Sequence, residues 1–88
     1  MIRKADFDIQ QSTRKNKKYM AKYKYDTEAK WIHFGDTRYQ QYKDSTPLKL
    51  YAYLDHNDKK RRASYKKRHQ KDRLNEGTAG WLADKFLW

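Results

Sequence analysis

The sequence predicts a small α+β domain: a β-hairpin covered by two or three short helices, with an extended N-terminal arm. Three observations carry this reading. Residues 18–25, "KYMAKYKY", alternate in period two, the pattern of a strand with one buried face. The segment "TAGWLADKFLW", residues 78–88, opens on a capping threonine and then repeats apolar residues at helical spacing. Aromatic residues reach 16%, while glycine and proline together number four, so a chain of 88 residues with thin hydrophobic content can still order an aromatic core.

Taken in order, residues 1–17 read as an extended basic arm. Phe7 and Ile9 sit two apart, so a short edge strand is the alternative there. The domain proper is residues 18–88. Tyr19, Ala21, Tyr23 and Tyr25 line one face of the first strand, with Lys18, Met20, Lys22 and Lys24 on the other. "DTEA" supplies a turn, and "KWIHF", residues 30–34, a second strand rich in aromatic and β-branched residues. Tyr19, Tyr23, Trp31 and Phe34 are the structural aromatics of this hairpin. Two strands are marginal in water, so helices must cover them. Ser45 or Thr46 with Pro47 at the first helical position predicts a helix in which Leu48, Leu50, Tyr51, Tyr53 and Leu54 form one apolar face. A second helix is predicted over 57–71, with Asn57 or Asp58 as cap. A third starts after Thr78, with Leu82 and Phe86 four apart and Trp81, Lys85 and Trp88 on a neighbouring stripe. Its closing aromatic and apolar residues predict an end docked on the core or in a partner's groove. Trp81, Phe86, Leu87 and Trp88 are the partner-docking candidates.

The formal charge of +11, from 22 basic and 11 acidic residues, predicts attraction to polyanions and says nothing about fold. No cysteine is present, which excludes a disulfide framework and thiolate metal sites. No apolar run resembles a signal peptide or approaches the ~20 residues of a membrane span, so a soluble or assembly-bound protein is expected.

The charge concentrates between Lys59 and Arg73, where nine basic residues face one acid, Asp72. On a helix, Asp58, Arg62, Tyr65 and His69 fall on one narrow face, the only one with an aromatic. They are expected to look inward, Asp58 and Arg62 forming an i,i+4 ion pair of about 0.3–0.5 kcal/mol. Lys59, Lys60, Arg61, Lys66, Lys67 and Arg68, continued by Lys71, are expected to point outward as the polyanion-binding set. Their possible partners are nucleic-acid phosphates, an acidic protein, or solvent alone. Six phosphate contacts would give duplex binding a log–log salt slope of roughly −5. Base-specific reading is not indicated, since Asn57 and Gln70 lie at the ends of the run.

Catalytic arrangements find little support. His33, His56 and His69 are too far apart to form a short-range ligand pair, and neither a zinc-finger nor an HExxH pattern exists. Ser12, Ser45 and Ser64 lack a nucleophile-elbow context, and Gly35 stands alone rather than in a phosphate-cradling loop. No enzyme, metal, cofactor or small-molecule substrate is expected.

The motif order "WIHFGD", "YQQYKD", "DHNDKKRRASYKKRH" and "TAGWLADKFLW" resembles a family of small uncharacterised proteins of large DNA viruses of algae and protists and of some marine phages. That family's pattern runs as a lysine-rich strand, an "IHFG" strand, a tyrosine- and aspartate-containing loop, a middle "HxDxxRxxYxxRH" motif and a terminal "TAG" with a closing "LLW". Ile32–Gly35 match the strand. His56, Asp58, Arg61 or Arg62, Tyr65, Arg68 and His69 match the middle motif, and Thr78–Gly80 with Leu87-Trp88 match the end. The resemblance covers roughly residues 17–88, with a longer loop at 44–54, and brings no catalytic residues. It implies a viral protein. The expected function is therefore a non-enzymatic structural component of the virion, minor capsid or accessory, that contacts other capsid or virion proteins. The alternative is a sequence-nonspecific nucleic-acid-binding protein of genome packaging or infection, found in the host-cell cytoplasm or nucleus.

Overall fold

Backbone pairing organises the chain around a three-stranded antiparallel sheet in the order β1-β2-β3, in a computed structural model that describes residues 2–88. The strands are β1 (Phe7–Gln11), β2 (Lys17–Tyr23) and β3 (Ile32–Asp36), followed by α1 (Lys59–Arg68), α2 (Gln70–Arg73) and α3 (Ala79–Leu87). This is an α+β fold. The β2–β3 hairpin follows from the period-two run. Phe7 and Ile9 add a strand to it: Phe7 stands opposite Tyr23, and Ile9 opposite Ala21. Residues 7–11 therefore belong to the sheet rather than to a separate arm. The reason is apolar burial, since Phe7 is 5% exposed and packs against Trp81 with ring centroids 5.7 Å apart.

Register places Phe7, Ile9, Tyr19, Ala21, Ile32 and Phe34 on one face. Helix α3 covers that face. Thr78 caps it by accepting from the Trp81 amide, and Phe86 packs on Phe34 at 5.8 Å between centroids. Gly35, at φ +79°, lets the helix end approach closely. A Cβ there would meet Leu87 Cδ1 at 2.9 Å and the Lys18 side chain at 3.1 Å.

A loop, rather than a helix, packs against the Lys18–Tyr19 end of β2. Residues 41–57 leave and return to the same place: Gln41 donates to the Leu54 carbonyl, while His56 and Asn57 donate to the carbonyls of Gln41 and Tyr42. The loop also finishes α3, because the amides of Lys43 and Ser45 donate to the Leu87 and Phe86 carbonyls that the helix leaves unsatisfied. Beneath it lies a buried polar network. The Tyr19 hydroxyl donates to Asp44, whose carboxylate also accepts from the Thr46 amide and hydroxyl and from the Tyr51 amide. Lys18, 2% exposed, donates from Nζ to the Tyr39 carbonyl and to Gln41 Oε1. Gln41 Nε2 donates in turn to Asp55. Burial pulls the Lys18 ammonium down to about 8, against the opposing pull of Asp36, Asp44 and Asp55. Burial also pushes the Tyr19 phenol up to about 12, reinforced by its hydrogen bond to Asp44.

This network explains why the expected helix over 48–54 does not form. Thr46 Oγ1 does accept from the Lys49 amide, which starts one turn. Asp44 then holds the Tyr51 amide, and Lys49 turns to φ +50°, so the chain bends away after a single turn. Only a 3₁₀ turn at Ala52–Leu54 remains. Leu48, Leu50 and Tyr53, expected as its apolar face, are 42%, 44% and 76% exposed.

Candidate polyanion-binding site

Helix α1 is built by its ends more than by its sides. Asp58 caps it, accepting from the amides of Lys60 and Arg61 at 2.9 and 3.2 Å, and His56 Nδ1 accepts from the Asp58 amide. Lys66, Lys67 and Arg68 occupy the last turn, where cations complement the helix dipole. His69 breaks the helix at φ −106°, ψ 23°, so the predicted 57–71 run becomes α1 and the four-residue α2. Arg73 Nε donates back to the Lys66 carbonyl across the break.

No residue of α1 is fully buried. Its attachment runs along Arg62, Tyr65, Lys66 and His69, all half-buried. The Tyr65 ring stacks on Trp88 with centroids 4.0 Å apart and planes 3° from parallel. His69 stacks on Tyr65 at 4.4 Å, and His56 leans on Trp88 at 5.3 Å. Four rings thus form one column that ties α1 to the end of α3. Burial pushes the Tyr65 phenol up to about 12, helped by Asp84 and Asp72. Arg62 lies over the Tyr42 ring at 4.7 Å.

Two expectations for this helix need correction. Asp58 does not pair with Arg62; its carboxylate is committed to the helix amides, and Arg62 goes to Tyr42. Lys66, expected outward, turns inward and donates to Asp84 at 2.8 Å, because Asp84 is 3% exposed and a buried carboxylate requires a partner. The terminal residues need a third. Trp81, Phe86 and Leu87 are 4%, 3% and 1% exposed within the chain's own core, and Trp88 is half-buried in the ring column, so they are not a free docking surface. The hairpin aromatics divide: Tyr19 and Phe34 are buried, Tyr23 is half-buried edge-on to Phe7, and Trp31 lies under the Lys22 ammonium at 5.0 Å.

Lys59, Lys60, Arg61, Lys67, Arg68 and Lys71 are exposed. Among the described residues, only two of the 22 lysines and arginines, Arg38 and Lys66, are ion-paired. The basic face is therefore uncompensated within the chain. On one flank it borders a cleft of about 990 Å³ between α1 and the segment after β3. Arg61 and Arg68 stand on the helix side, and Lys17 and Arg38 on the sheet side. Arg61 donates across it to Gln40 Oε1 at 2.9 Å. Arg38 grips Asp36 through Nε and a terminal nitrogen at 3.0 and 2.8 Å, and these hydrogen bonds hold the Asp36 carboxyl down at about 2. Sequence reading missed Lys17, Arg38 and Gln40, which lie outside the basic run; the "GDTRYQQY" turn after the second strand was the available signal. No group of three or more histidines and carboxylates gathers to hold a metal among the described residues, and none of their helices is long and apolar enough to cross a membrane.

Residues 7–69 match a family of unknown function, DUF5754, and the chain belongs to that family. No curated protein and no solved structure matches it.

Proposed function

We propose that this DUF5754 chain is a non-enzymatic structural component of a virion, minor capsid or accessory, whose basic helix contacts a neighbouring acidic surface. The observation that carries the reading is α1 itself. It buries no residue of its own, yet it is capped, pinned by a ring column and furnished with cations of which, among the described residues, only Lys66 has an acidic partner. Such a helix contributes little to the core and much to an external field. The resemblance of its motif order to that of a family of viral proteins supports a virion as the setting. Leu48, Leu50 and Tyr53 supply exposed apolar area for contact with a neighbouring protein. Mass spectrometry of purified particles is the test: the chain is expected at a reproducible copy number, and its absence from particles would sink the reading.

A second reading is sequence-nonspecific nucleic-acid binding during packaging or infection, in the host cytoplasm or nucleus. The specific observation in its favour is that cations from three parts of the chain, β2, the turn after β3 and α1, border one cleft. Binding to DNA should then weaken steeply with added salt.

A further inference from the structure

We propose that the cleft between α1 and the Asp36–Gln40 segment binds the phosphodiester backbone of single-stranded nucleic acid and draws little on its bases. This inference rests on the nucleic-acid reading above and makes it local. At about 990 Å³ the cleft lies near the upper end of the ~300–1,000 Å³ typical of ligand sites, room for a few nucleotides of one strand and far too little for a duplex.

Its charge is one-sided. Lys17, Arg38, Arg61 and Arg68 line it from opposite walls. Of the two acids in the lining, Asp36 is engaged by Arg38, and Asp72 stands exposed with His69 Nδ1 at 3.6 Å. Arg61 and Arg68 are seven residues apart, so they repeat on one side of α1 about two turns, roughly 10 Å, along the axis. That spacing suits successive contacts along an extended backbone better than a single anion. The side chains of Lys17 and Arg68 make no hydrogen bond or ion pair among the described residues, which leaves both available to phosphates.

The aromatic lining favours backbone over base. Stacking needs an open ring face, and both faces of Tyr65 are taken, by Trp88 and by His69. Trp88 has Tyr65 on one side and His56 leaning on the ring. Phe34 is buried. Only Tyr39 keeps an exposed ring in the cleft, and Arg38 lies over it at 5.8 Å.

The test is fluorescence anisotropy with a labelled thymidine oligonucleotide across a salt series, using the full chain, K17Q/R68Q, and the control K24Q/K30Q. The control removes the same charge from exposed positions beyond the cleft. Single-strand binding should lose about 1.4 from its log–log salt slope in K17Q/R68Q, two contacts at ~0.7 each, with the control unchanged. Equal loss in both variants overturns the cleft assignment while leaving nucleic-acid binding intact. No binding by the unaltered chain at low salt sinks the nucleic-acid reading itself. Two arms use unaltered protein and do not depend on variants folding. A base-free phosphodiester chain of the same length should bind within about tenfold of the oligonucleotide, the contribution of one stacking ring; a larger loss overturns the inference. A nucleoside triphosphate should compete poorly, and equal competition would make this a small-molecule site instead.

Discussion

Helices α1 and α3 are nearly equal in length and opposite in what they do. α3 buries six of its nine residues and carries the apolar half of the core. α1 buries none of its ten, and its stability rests on a cap, a ring column and one inward lysine. The comparison teaches that a small basic domain can put its hydrophobic work into one helix and leave the other as a charged surface held at a fixed angle. Lys66–Asp84 and Tyr65–Trp88 are the two ties that couple them.

The largest expected effect tests whether the core rests on α3. Leu82, with no exposed surface, should cost about 2–5 kcal/mol on Leu82→Ala, read by urea denaturation. Lys67→Ala on α1 should change stability by less than about 0.5 kcal/mol. Comparable losses in the two would erase the distinction.

Next comes a cation inside the fold, set against those of α1. Lys18 has its ammonium lowered to about 8, below the ordinary 10.5. Between those values the unfolded chain holds the proton and the folded chain does not, so stability should rise with pH from about 8, with a slope of at most about 1.4 kcal/mol per pH unit. Tyr19 and Tyr65, both raised to about 12, oppose this above pH 10, where the unfolded phenols ionise first. The clean window is therefore pH 8–10. Lys4, whose ammonium is also lowered by burial, adds in the same direction, so Lys18→Met should remove most of the rise and Lys60→Ala should not; a rise undiminished in Lys18→Met assigns it to another group.

The smallest effect concerns the ring column. Trp88→Leu keeps an apolar side chain but removes the stack, a loss of about 1 kcal/mol. Amide hydrogen exchange should quicken in 59–68 and stay slow in α3. Uniform acceleration would mean that the two helices open together.

Much of the fold is legible along the chain because its causes are local. The alternation of Tyr19, Ala21 and Tyr23 marks β2, Thr78 marks the start of α3, and Asp58 marks the start of α1. The helix expected after Pro47 shows the limit. Its cap and spacing are present, but Asp44 takes the Tyr51 amide from within a network anchored on β2, and local propensity yields. The candidate site divides in the same way. Arg61 and Arg68 stand out in a basic run, whereas Lys17 and Arg38 become neighbours only once β2 and β3 pair and α3 draws α1 toward them.

By itself, then, the sequence determined the α+β class, the hairpin, two helix starts and the excess of positive charge. Each depends on residues within a few positions of one another, where period and capping chemistry act. The tertiary structure alone decided which cations are used internally and which are left free. A buried carboxylate such as Asp84 must find a partner, and the nearest one available in space, Lys66, lies eighteen residues away along the chain.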